Sequence, residues 1–303
     1  GKGGLLERCG GCKIDRMKTW TSFTQLNENL NSTIQILHHA AQFVAMYGNS
    51  YLAKQPDDSQ NNLEWNEDLK RLQGRWVENA NSRLSLDVVN FELILEFQGR
   101  DIHMNLDGWT KHQVLANLLA ASKETGLDTS LLKPISQFTI PSHPVNDGAM
   151  YQKPPLNILE TWASWLTNGN QLLKRIKPGF ESSSEIRIWP HHFDLGLYIP
   201  MTKDDTGSDI QSIGAGLAIA DSYVSEPYFY INYWSKETII SRMENVIFDY
   251  GYWNTRDWKG LVLPLSLLIQ QPSSQQEQFA IDFFQNGVEL TSHMLGIRSR
   301  KNS

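Results

Sequence analysis

Trp189-Pro190-His191-His192-Phe193-Asp194-Leu195 and its echo Glu226-Pro227-Tyr228-Phe229-Tyr230 concentrate histidine, carboxylate and aromatic residues more densely than any other part of the chain. Both alternate, as β-strands with two chemically different faces do. Read as one strand running straight through Pro190, the first puts Trp189, His191, Phe193, Leu195, Leu197 and Ile199 on an apolar face. His192, Asp194 and Tyr198 then share the polar face. In the second stretch Phe229, Ile231 and Tyr233 point inward, while Glu226, Tyr228, Tyr230, Asn232 and Trp234 share the other side. Between them, Ile213-Gly214-Ala215-Gly216-Leu217-Ala218 offers an even-numbered face of Gly and Ala alone, which leaves room for something to approach the sheet closely.

Outward from these strands, apolar periodicity predicts helices on either side. Ile34, Leu37, Ala41, Val44 and Tyr51 recur at helical spacing within a helix from about residue 27 to 52, and Ile36, Phe43 and Tyr47 widen the stripe until two sides need covering. Its narrow polar side holds Gln35, His39 and Gln42, with His38 at the margin. The favoured reading of the His pair is hydrogen-bonded histidines at the core edge; the alternative is a pair facing a pocket. Residues 84–97 read as one long strand, and Gln98-Gly99 as a hairpin turn into a shorter strand over 102–106. A helix over 110–125 stops at Gly126, and a proline-rich connection spans 127–157. A helix over 156–176 then ends at Pro178-Gly179, Leu261 to Ile269 reads as an apolar strand, and a closing helix runs to about Leu295. Hairpin-length turns between successive strands predict an α+β fold of mostly antiparallel sheets covered by helices. The order helix, loop with Trp, strands, helix occurs twice, so residues 17–150 and 151–303 are expected to be two similar halves sharing one core. Residues 1–16, GKGGLLERCGGCKIDR, lack periodicity and read as a disordered leader before Met17.

The motifs WPHHFDL over 189–195 and EPYFY over 226–230, with the Gly-Ala strand between them, resemble those of an uncharacterised bacterial family of the domain-of-unknown-function class, which carries WPxHFDL and EPYFY. The likeness continues more weakly upstream, through the Leu37-His38 helix and Asn61-Asn62-Leu63-Glu64-Trp65, and so covers nearly everything after Met17. The resemblance implies a soluble intracellular protein and brings no activity, cofactor or catalytic residue with it.

Composition excludes several classes. The net charge of -6 over 303 residues, with no basic stripe, argues against nucleic acid or an anionic membrane as partner. Both cysteines, Cys9 and Cys12, fall in the leader, so the body is no disulfide scaffold and a cytoplasmic location is expected. No apolar run reaches the length of a membrane span. A phosphate-binding GxxxxGK[ST] loop, an HExxH helix and a GxSxG elbow are all missing.

Two function classes follow. The first is a small-molecule binding protein whose aromatic, acidic pocket in the C-terminal half is lined by Trp189, His191, His192, Asp194, Glu226, Tyr228, Tyr230 and Trp234. The second is a hydrolase or oxygenase that holds a divalent metal on His192, Asp194 and Glu226, since imidazole and carboxylate at i, i+2 project from one side of a strand. The bland counterpart is a buried His–Asp hydrogen bond beside a proline kink. The residues select neither a ligand nor an oligomeric state.

Overall fold

Ile34, Leu37, Ala41 and Val44 do build a helix, α1 (Leu30–Tyr51), and its apolar breadth is matched by burial on almost every side. The computed structural model describes residues 19–132, 138–237 and 246–297. The expected leader, residues 1–16, lies outside them.

After α1 comes a five-stranded antiparallel meander: β1 (Glu64–Asn66), β2 (Arg71–Gln73), β3 (Ser82–Asp87), β4 (Glu92–Phe97) and β5 (Arg100–Asn105), paired in sequence order. The long strand expected over 84–97 is in fact β3 and β4. Asp87 breaks it by accepting from the backbone N–H groups of Val89 and Asn90 and from the Asn90 amide, and Phe91 takes a φ of +59°. Helix α2 (Lys111–Lys123) begins with a reciprocal capping box between Thr110 and Gln113 and ends before Gly126, at φ +77°.

Residues 139–155 carry a 3-10 turn at Pro144–Asp147 and a single antiparallel bridge from Met150 to Thr110 before α3 (Leu156–Ile176). A six-stranded antiparallel sheet follows: β6 (Arg187–Trp189), β7 (Asp194–Lys203), β8 (Asp209–Ala218), β9 (Tyr228–Ser235), β10 (Tyr252–Asn254) and β11 (Gly260–Pro264), in the spatial order β10-β11-β9-β8-β7-β6. The apolar segment 261–269 divides into β11 and a short helix, α4 (Leu265–Leu268). Helix α5 (Gln276–Met294) closes the described chain. The fold is α+β with two antiparallel sheets.

The two sheets meet edge to edge where Leu63 and Ile188 exchange both backbone hydrogen bonds. Helices α1, α3 and α5 cover the inner faces. Leu195, Leu197, Leu217, Phe229, Ile231, Leu261 and Leu263 point toward them and join Trp162, Trp165, Leu37, Leu84 and Leu93 in one buried cluster that runs continuously past residue 150. Ahead of α1, residues 20–26 lie across this layer. The Asn168 side chain exchanges two hydrogen bonds with the backbone of Thr21, Gln276 does the same with Phe23, and the Phe23 ring stacks on Trp165 at 4.5 Å. No helix among the described residues is long and apolar enough to cross a membrane.

Candidate functional site

The motif around Trp189 is a hairpin and not a continuous strand. β6 ends at Trp189, β7 begins at Asp194 directly opposite it, and residues 190–193 reverse the chain. Phe193 closes the turn with its N–H on the Trp189 carbonyl at 2.6 Å and a φ of +56°, a region costly for a bulky residue. What holds it there comes from α1. The buried His38 ring stacks on Phe193 at 4.8 Å, and both His38 Nε2 and Gln42 Nε2 donate to the Pro190 carbonyl at 2.8 Å. His38 is therefore the hydrogen-bonded core histidine that its place at the edge of the apolar stripe implied.

The turn redistributes the residues predicted to share a site. His192 is exposed on the loop, its ring 4.3 Å from that of His191, which in turn contacts Trp189 and Phe138. Asp194 faces outward beside Trp189, where its Oδ2 accepts from the Tyr230 hydroxyl at 2.6 Å. Its other oxygen, Oδ1, is buried with no hydrogen-bond partner among the described residues. Burial raises the Asp194 pKa against the opposing pull of the Tyr230 hydrogen bond and of His192 and His191, and burial with the adjacent carboxyl pushes the Tyr230 hydroxyl well up.

Glu226 goes elsewhere. Its carboxylate accepts from the backbone N–H and hydroxyl of Ser266 at 2.8 and 2.6 Å, capping the first turn of α4. Among the described residues no three His, Cys, Asp or Glu side chains are placed to hold a metal ion, so His192, Asp194 and Glu226 do not form the metal set that the strand reading brought together. Trp234 is half exposed and sits four residues beyond Tyr230 on β9, about 13 Å along the strand.

The small-residue face of β8 is filled from within. In register, Gly216 pairs with Tyr230, Gly214 with Asn232 and Ala218 with Tyr228. A Cβ on Gly216 would lie 2.8 Å from the Tyr230 ring and would overlap the Leu195 carbonyl, and one on Gly214 would overlap the Asn232 side chain. Tyr228 is covered in turn: its hydroxyl donates to Asp221 at 2.6 Å, and Ala218, Val224 and Val262 join it in a second small core against which Tyr223, Tyr230 and Trp258 pack. The glycines admit tyrosine and asparagine from the neighbouring strand, and the hydroxyls of Tyr230 and Tyr228 are spent on Asp194 and Asp221.

A cavity of about 400 Å³ lies instead between α1, the start of α2 and the turn at 144–148. On α1 its walls are His39, Gln42, Phe43 and Met46, whose spacing of i, i+3, i+4 and i+7 makes one stripe. Thr110, Lys111, His112 and Leu115 face them from α2, and Val145, Asn146 and Gly148 close the third side. The sequence signal was the polar margin of α1; that His39 borders a hollow, with Nε2 donating to the Pro141 carbonyl at 2.9 Å, came only with the partners. Burial lowers the His39 pKa, so the ring is neutral at pH 7. A second concavity, about 630 Å³, is bordered by Arg75, Arg83 and Arg187, but each already binds a carboxylate: Glu185, Glu96, and Glu64 with Glu185.

No family model, curated protein or solved structure matches this chain.

Proposed function

We propose that the protein binds a small molecule in the cavity between α1 and α2. The observation that carries the reading is the lining itself. Phe43, Met46, Leu115 and Val145 supply apolar walls, and His39, Gln42, Thr110 and Lys111 add a few polar groups. Concave, mainly apolar sites with a small number of placed polar groups are the usual form of a ligand site. The C-terminal aromatic face is less suited, because its rings and carboxyls are engaged with one another. A second reading keeps the ligand there, on one observation: a ligand N–H or O–H would give the buried Asp194 Oδ1 the partner it lacks.

A fragment screen by thermal shift separates the two. Leu115 lies half-buried on the cavity wall, so Leu115→Trp fills the space with little disturbance to the core. Fragments that stabilise the parent and fail to stabilise Leu115→Trp support the cavity. Fragments that still bind Leu115→Trp but are lost in Asp194→Asn would move the site to the C-terminal sheet.

A further inference from the structure

The cavity's polar groups differ in what they still have to offer. Gln42 uses its amide N–H on the Pro190 and His38 carbonyls, Thr110 is engaged with Gln113 in the α2 cap, and His39 donates to Pro141. Lys111 is different. Its ammonium contacts the Asn146 side-chain oxygen at 3.2 Å, and among the described residues no carboxylate lies within ion-pair distance of it. Among the described residues no Asp or Glu lines the cavity, although acidic residues outnumber basic ones, 33 to 27, in the whole chain. Among the described lining residues Lys111 is thus the one Lys, Arg, Asp or Glu on the wall of an apolar hollow, with the neutral His39 imidazole as a neighbour. The positive end of the α2 dipole adds to its field.

From this lining we infer that the ligand is an apolar carboxylate: a hydrocarbon or aromatic body against Phe43, Met46, Leu115 and Val145, with a single negative charge on Lys111. The inference rests on the cavity being the binding site and adds the chemical class. One ammonium suits one negative charge. A phosphate dianion calls for the guanidinium forks or clustered cations that this site lacks. An amine would meet Lys111 as a like charge and find no acid to pair with.

The test uses the full chain with ¹³C-methyl methionine, reading the Met46 methyl signal (assigned with Met46→Leu) during titration with octanoate, octanamide and octylamine. Octanoate is expected to move the signal saturably and to bind about tenfold or more tighter than octanamide, the difference a charge-assisted hydrogen bond makes, with octylamine weakest. Lys111→Gln should erase the preference of octanoate over octanamide, and Lys111→Arg should keep it. Equal binding of octanoate and octanamide, or a preference for octylamine, would overturn the inference while leaving the cavity as a binding site. No movement of Met46 with octanoate would also overturn it; fragment hits that disappear in Leu115→Trp would then show that the cavity reading survives without the carboxylate.

Discussion

His38 Nε2 donates to the carbonyl oxygen of Pro190 at 2.8 Å, joining residues 152 positions apart. A carbonyl has no proton to give, so the ring must carry its own on Nε2. Through this bond and the Phe193 stack, α1 dictates where the β6–β7 hairpin turns. The same contact makes the fold sensitive to acid. Three further imidazoles, His39, His191 and His192, lie close enough to His38 that their charge would oppose its protonation.

Burial first, and those neighbours after it, lower the His38 pKa from 6.5 to about 4, against the opposing Pro190 bond. The unfolded chain therefore takes up a proton near pH 6.5 that the folded chain refuses until about pH 4. Stability from His38 is fully present above 6.5 and is lost as the pH falls through that window, by up to about 3 kcal/mol. His39, His143 and His191, also lowered, act with the same sign. Urea unfolding at pH 7.5 and 4.5 should show His38→Gln, which keeps an N–H donor and cannot titrate, losing less stability on acidification than the parent. An unchanged loss would mean that His38 titrates normally.

Asp194 should act in the opposite sense. Its pKa is raised by burial, so its contribution is full below the ordinary carboxylate range and is lost as the pH rises through the folded value. Asp194→Asn cannot ionise, and between pH 4 and 8 it should gain stability relative to the parent. Gly216→Ala probes the adjoining packing: with Tyr230 and the Leu195 carbonyl against the new methyl, it should cost about 1–3 kcal/mol at any pH. A neutral Gly216→Ala would show that Tyr230 can leave the glycine face.

The clamp on the segment before α1 is open to a direct measurement. Asn168 and Gln276 are buried, and each exchanges two hydrogen bonds with the backbone of residues 21 and 23. Truncation to alanine removes two part-buried hydrogen bonds at a time, and each variant should lose about 1–3 kcal/mol. Hydrogen exchange over residues 20–26 should accelerate in both variants while α3 stays protected. Unaltered exchange there would assign the anchoring to the Phe23–Trp165 stack instead.

Periodicity alone located the main helices. Leu37, Ala41 and Val44 marked α1, Gly126 marked the end of α2, and Pro178-Gly179 ended the run of α3 within a residue or two. The alternation of residues 213–218 and 228–234 likewise sorted inner from outer faces of β8 and β9 correctly, and with them the antiparallel α+β class. These features depend on neighbours a few residues apart, so they are written locally. The turns at Phe91 and Phe193 were hidden, because each puts a phenylalanine where glycine or asparagine normally announces a positive φ, and the alternation reads on through it. His38 is what stabilises the second, and it is 155 residues away in sequence, in stacking contact only after folding. Register was equally invisible: which side chain meets Gly216 depends on Tyr230 sliding into that place and not one residue along. The capping of Ser266 by Glu226 and a hollow walled by residues near 40, 112 and 146 are likewise products of distant segments meeting. Local chemistry determined which elements form; their long-range contacts alone decided which side chains were consumed in packing and which still border a space.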